Sequence, residues 1–330
     1  MSRLRGAALT AAATPAFGGV VRMLEAIDRD REDVLPVLTY HRVIQPDVDQ
    51  FPGLVSASPE GFIEQLEALG RRFTFIGLER VLDRADGGRP IPPRSLAVTF
   101  DDAYRDFAET AWPALRRLGI PVALFVPTAY PDHDEPFWWD RLYAALMGTA
   151  RTEPLGTAVG DLALATPADR TAAYRALRGH LRSLAHPAAM AEVGRLVVAL
   201  GDPRLGSSVL SWDDLRRLAE DGVMLAPHSR THPLLDRVTP EVLDVEVAGS
   251  REDLVREIGS APAALAYPAG SYSRAVVERV RELGIRVAFT TVRGVNDLRR
   301  ADWLRLRRIN VGGRSSPALV RAQALSWLAR

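Results

Sequence analysis

The chain has 330 residues, a net charge of +1, and a composition that is 47% hydrophobic and 25% charged. That is ordinary for a globular protein with room for one large α/β domain or two smaller ones, and the balanced, scattered charge excludes a dedicated nucleic-acid binder. There is no cysteine, so disulfides and thiolate metal sites are excluded and any metal must be held by His, Asp or Glu.

Charges interrupt every apolar run well short of about 18 residues, so no transmembrane helix is expected. At the N-terminus, Arg3 and Arg5 precede Ala7 to Ala13, a pattern that mimics a short export signal. The apolar part is mostly alanine and meets Pro15 early, so residues 1–33 are read as an N-terminal helical segment, with export as the alternative.

Val34 to Val43 reads as the first strand and delivers Tyr40 and His41 at its end. A Pro- and Gly-containing loop from Gln45 to Ser58 follows. Ser58-Pro59-Glu60 then starts a helix, with Ser58 as N-cap. Phe73 to Ile76 is a short strand and Leu78 to Arg84 a short helix. The apolar run Leu96-Ala97-Val98-Thr99-Phe100 reads as a buried strand that stops on two carboxylates, Asp101 and Asp102. A helix over Phe107 to Leu118 and a strand over Val122 to Val126 follow, a rhythm typical of parallel α/β architecture.

The rhythm breaks from about residue 130 to 206, which reads as a helical insertion with no clear strand. Trp138 and Trp139 there are read as packing before they are read as a sugar-stacking wall. His133, His180 and His186 are read as surface residues. The rhythm resumes with a helix capped by Ser211 and a strand over Val223 to Ala226 ending at His228. Then come a helix from Thr239 to Ile258, a strand over Ala263 to Tyr267, and a helix from Ser273 to Leu283. Strands over Val287 to Thr291 and Leu304 to Val311 and a helix from Ser316 to Leu328 complete the chain.

In parallel sheets and barrels, sites form at the C-terminal ends of strands, where His41, Asp101, Asp102 and His228 all fall. An isolated Asp-Asp pair is best read as a helix cap. His228 and His232, four apart after a strand, have metal-ligand spacing, and no Glu follows the first as the zinc-protease motif requires. Taken together, two imidazoles and one carboxylate make a three-ligand site with open positions, and the second carboxylate is left as a base.

These residues resemble the polysaccharide deacetylase family with the NodB homology domain. Its first motif, Thr-Phe-Asp-Asp-Gly, stands here as Thr99-Phe100-Asp101-Asp102-Ala103, and its second as His228 to His232. Its third stands in altered form as Ala266-Tyr267-Pro268-Ala269-Gly270, with Tyr272 following, in the manner of a bacterial branch with Tyr-Pro-x-Gly. The resemblance implies a deformed (β/α) barrel over 34–312, carrying the insertion, with a C-terminal helix over 313–330. It implies removal of N-acetyl groups from an amino-sugar polysaccharide or oligosaccharide. It also implies one divalent metal ion, zinc before cobalt or nickel, held by Asp102, His228 and His232. Asp101 would be the base, and Tyr267, Pro268, Ala269, Gly270 and Tyr272 would face substrate.

Two departures stand out. Leu304 to Val311 contains no histidine, so the family's Leu-x-His motif is missing, and Ala266 replaces the arginine that orients the base. His41 is the candidate acid in its place. The competing readings are a deformylase or amidase on a smaller or lipid-linked glycan precursor, and an inactive carbohydrate-binding domain. The expected partner is a carbohydrate, with no nucleic acid. The expected location is cytoplasmic, with export or membrane-surface association as the alternative.

Overall fold

A computed structural model describes residues 14–45, 51–203 and 205–329. The signal-like stretch Ala7 to Ala13 and Pro46 of the first loop lie outside them. No helix among the described residues is long and apolar enough to cross a membrane.

Eight strands carry the fold: β1 (Val37–Tyr40), β2 (Thr74–Phe75), β3 (Ser95–Asp101), β4 (Val122–Val126), β5 (Met224–Pro227), β6 (Ala264–Ala266), β7 (Val287–Arg293) and β8 (Leu306–Asn310). Seven of them run in the order β5-β4-β3-β1-β8-β7-β6, all parallel, and β2 pairs with the start of β3. The sheet curls into a nearly closed barrel of the NodB type, as expected from the resemblance. No ladder joins β5 to β6, but His228 and Ala266 meet across that seam through a 2.8 Å hydrogen bond.

Alternation along the strands sorts the core into two layers. Val37, Ala97, Ala123, Phe125, Ala266, Phe289 and Leu306 fill the barrel interior. Leu38, Val98, Phe100, Leu124, Leu225 and Ile309 face the surrounding helices. Thr99, Asp101 and Arg308 follow the inward set and bring polar groups into the upper part of the barrel.

Helix starts follow the sequence. The Ser58 hydroxyl accepts from Gly61 N at 3.1 Å, and Ser211 and Asp214 form a reciprocal capping box. The first predicted strand is broken instead of continuous. Its start, Val34–Leu35, pairs antiparallel with Asn296–Asp297, and Pro36, which has no N–H to donate, separates it from β1. The helix after β3 opens with a π-turn, Phe107–Ala111, before continuing as Trp112–Arg117.

The stretch read as an insertion carries three helices, α1 (Trp138–Gly148), α2 (Pro167–Leu181) and α3 (His186–Ala199). It packs around a separate apolar cluster that includes Leu142, Leu146, Tyr174, Leu177, Val193 and Leu196. The expectation of no strand fails: Leu155–Thr157 and Gly160–Leu162 form an antiparallel hairpin. Three residues per strand are too few to show a period of two, and only Leu155 among them is buried. A long helix, α4 (Pro240–Ile258), flanks the loop after β5.

Candidate active site

The barrel mouth gathers the strand-end residues picked out in the sequence. β3 ends at Asp101, and the chain then takes left-handed backbone at Asp102 (φ 73°) and Ala103 (φ 51°). Continued extension would have turned Asp102 to the opposite face. The two left-handed residues instead bring both carboxylates into the site, at a strain cost that such positions carry at functional sites. Ala103 stands where the motif has glycine, the residue that adopts this conformation freely.

The two buried carboxylates have different surroundings. Arg308, fully buried on β8, donates from Nη1 to Asp101 Oδ1 at 2.8 Å and from Nη2 to Oδ2 at 2.6 Å. The same guanidinium donates to Thr290 O and Thr99 Oγ1. Burial pushes the Asp101 carboxyl up, but Arg308 together with the nearby imidazoles outweighs it and holds the pKa below the usual carboxylate value. The fork uses two lone pairs and leaves others on the carboxylate for a further partner.

Asp102 faces imidazoles. Its Oδ1 lies 3.5 Å from His228 Nε2 and 3.4 Å from His232 Nε2, and its Oδ2 lies 4.0 Å from His41 Nε2. Burial opposes its ionisation, but these imidazoles hold it well below the ordinary value. The same burial pushes the His232 imidazole down to about 3. For His228, burial is outweighed by Asp101 and Asp102, and the pKa is raised.

The cluster fits a divalent cation. Asp102, His228 and His232 each offer one donor atom, all within 4.8 Å of one another. Asp102 Oδ1 is buried with no hydrogen-bond partner, a state that a cation would relieve. His228 Nδ1 is bonded to Ala266 O, an acceptor only. That fixes the proton on Nδ1 and turns the Nε2 lone pair toward the cluster.

The loop carrying both histidines is held from below. Buried Glu246 on α4 accepts from Arg230 N and Thr231 N, both at 2.8 Å, and from Thr231 Oγ1 at 2.5 Å. Asp253, on the same helix, accepts from Arg230 Nε and Thr128 Oγ1. His232 also packs edge-on against Trp139, centroids 4.8 Å apart. Trp139 is nearly buried and donates to Tyr104 OH at 2.8 Å, and Tyr104 donates to Asp140. Trp139 thus packs, as expected, and it also lines the pocket together with the half-buried Trp138.

The third motif contributes less than expected. Of its residues only Ala269, in left-handed backbone at φ 51°, lines the pocket. Tyr267 is fully buried among Leu243, Val276 and Val277 and donates to Leu304 O at 3.0 Å, which spends its hydroxyl on the scaffold. Pro268 is buried, and Tyr272 packs on Tyr267. Gly270, at φ 71°, lies so close to β7 that a Cβ would clash with Thr291 Oγ1. None of these four is in the lining of the pocket, and Tyr267, Pro268 and Gly270 shape the turn.

Two further residues were missed. Arg308 stands two residues after Leu306 on the strand that lacks the histidine of a Leu-x-His motif. The signal was there: alternation in β8 places Arg308 on the side of Leu306 and opposite Ile309, facing inward. His186 is also corrected. It is half-buried and lines the pocket, because α3 folds back over the barrel mouth. His133 is exposed, as expected.

The pocket has a volume of about 120 Å³, opens to solvent, and has the carboxylate and imidazole cluster at its base. The insertion supplies one wall. Sequence comparison matches residues 160–288 to the polysaccharide deacetylase family, a span that holds both histidines and ends beyond the third motif. No curated protein sequence matches significantly. Among solved structures, the chain resembles the Streptococcus pyogenes deacetylase PplD in complex with acetate (TM-score 0.60, 18% identity, covering 90% of this chain and 99% of that one). It also resembles IcaB from Ammonifex degensii (0.59, 18%, 90% and 98%). The BpsB deacetylase domain from Bordetella bronchiseptica is a third (0.55, 17%, 86% and 98%). At these identities the likeness establishes the fold.

Proposed function

We propose that this chain is a member of the polysaccharide deacetylase family and a metal-dependent hydrolase that removes acetyl groups from acetylated amino sugars, supported by the match over residues 160–288 and the shared fold. The observation that carries the reading is the Asp102, His228 and His232 donor cluster beside a second carboxylate held separately by Arg308. A division of labour follows from those surroundings. Asp102, His228 and His232 would hold the ion, zinc by their His-rich donor set, with cobalt or nickel as alternatives. Once bound, such an ion supplies Lewis acidity toward the amide carbonyl and toward water.

The side chains supply the proton chemistry. Asp101 accepts the proton of the attacking water, and Arg308 keeps it ionised and aimed. Scission of the C–N bond requires a proton on the leaving amine. His41 is assigned that role, since it lines the pocket 4.0 Å from Asp102 and its backbone N is fixed by Ser56 Oγ at 2.8 Å. Ala269 also lines the pocket. A smaller, lipid-linked glycan precursor is the second reading, favoured by the arginines and aliphatic side chains of the insertion wall.

Purified protein should retain about one equivalent of divalent metal, as a single three-ligand site predicts. Wild type should also release acetate from acetylated amino-sugar oligomers. His228→Ala should lose the metal, and Asp101→Asn should keep it yet release no acetate. A wild type that binds no divalent ion sinks the reading. Metal loss in Asp101→Asn would overturn the division between the two carboxylates.

A further inference from the structure

The wall that the insertion adds to the pocket has a chemistry unlike that of the metal cluster. Arg178 and Arg182 lie four apart at the end of α2 and both line the cavity. Neither makes an ion pair with any described carboxylate. Arg178 lies over the Phe51 ring, 5.3 Å from its centroid. Asp236 attracts Arg182 from the neighbouring loop, but its own contacts are Ser271 Oγ and Arg237. Burial, with Arg178 beside it, holds the Arg182 pKa below that of a free arginine, as befits a cation short of counter-charge. Arg237 adds a third guanidinium to the lining, from the loop before α4.

The rest of the wall is largely apolar: Leu181, Leu184, Met190 and Leu234 line the same cavity, beside the rings of Phe51, Trp138 and Trp139. Apart from Asp101 and Asp102, no carboxylate or carboxamide among the described residues is in the lining. A cleft for neutral sugar chains needs such groups to pair with hydroxyls, because binding leaves unpaired hydroxyls at a cost. Guanidinium groups are instead suited to phosphate oxygens, which they grip by paired N–H donors. Aliphatic side chains beyond them suit an alkyl chain.

We propose that Arg178 and Arg182 form a subsite for a phosphoester carried by the acylated amino sugar, with the aliphatic wall covering an isoprenoid-like chain attached to that phosphate. This deepens the deacetylase reading and rests on it. The sugar amide lies over the metal cluster, and the phosphate is held on the insertion side. The insertion thereby selects substrate while the barrel performs hydrolysis.

The test uses three acetylated amino-sugar substrates: a neutral oligomer, a sugar 1-phosphate, and the same phosphate esterified to a short polyprenyl chain. Acetate release is followed for the full-length, metal-loaded wild type and for the Arg178→Gln/Arg182→Gln variant, with Tm as a check of folding. The wild type should prefer the phosphate substrates. Its preference for them over the neutral oligomer should collapse by about tenfold or more in the variant, mainly through KM. The polyprenyl ester should outperform the sugar 1-phosphate. Equal performance removes the alkyl site and leaves the phosphate site. Binding of farnesyl phosphate and of inorganic phosphate, measured by calorimetry, gives a readout independent of turnover and should weaken in the variant. Wild-type activity confined to the neutral oligomer overturns this inference and keeps the deacetylase reading. Activity on none of the three overturns both.

Discussion

Replacing Arg308 with methionine tests the separation of the two carboxylates most directly. The side chain is fully buried and makes a two-pronged pair with Asp101 at 2.8 and 2.6 Å. Removing one partner of such a pair leaves an uncompensated buried charge, at a cost of about 3–5 kcal/mol. Whole domains are stable by only about 5–15 kcal/mol, so the loss should be plain in urea unfolding at pH 7. The cost arises from the stranded charge, so Asp101→Asn in the Arg308→Met background should recover most of it.

The pH dependence has a defined sign. In the wild type the Asp101 pKa is depressed, so its contribution is present above the usual carboxylate value and fades as pH falls through the folded value. Without Arg308, burial raises that pKa, and the penalty is greatest at neutral pH. The stability gap between wild type and variant should therefore narrow from pH 7 toward pH 4. The acidic limb of kcat/KM for acetate release should move to higher pH at the same time. Arg308→Lys should rescue only part of both effects, because an ammonium cannot make the planar fork. A cost below about 1 kcal/mol, or no recovery in the double variant, refutes the reasoning.

Three further outcomes follow from the same geometry. His41→Ala should slow acetate release by about a hundredfold or more with metal content unchanged, the usual loss of a general acid, and a normal rate removes His41 from that role. Glu246→Ala should weaken metal affinity by about 10–100-fold in a chelator competition, because the loop bearing His228 and His232 loses its anchor. Unchanged affinity would show that the loop holds itself. Gly270→Ala should lower stability by about 2–3 kcal/mol in urea unfolding, since a Cβ there meets Thr291 atoms, backbone N included, in a left-handed backbone. A neutral result would mean that the turn relaxes freely.

What the sequence made legible was local. The caps at Ser58 and Ser211 and the strand-end positions of Asp101 and His228 each follow from a few consecutive residues. What it concealed depends on residues far apart in the chain meeting in space. Arg308 and Asp101 are 207 residues apart and meet across β1, which lies between their strands. Glu246 reads as one more acidic residue on a helix until its helix packs beside the β5 loop. His186, Arg178 and Arg182 read as a polar helix surface because nothing in their spacing says that the insertion folds back over the mouth. Tyr267 differs for the opposite reason, since Ala269 two residues on lines the pocket while the Tyr267 ring packs among Leu243, Val276 and Val277.

The arginine clamp on Asp101 also says something about how such barrels change over time. Inward positions at the mouth of a small barrel converge on a common space, so one strand can supply a group that another has lost. Here the third motif holds Ala266, and the guanidinium arrives from β8. Motif inspection reads letters along one strand at a time and would score this chain as lacking an arginine partner for Asp101. Survival of a catalytic apparatus is better judged by asking which side chain reaches the carboxylate, from any direction. Chains discounted as degenerate relatives on a missing motif arginine can be re-examined by that criterion.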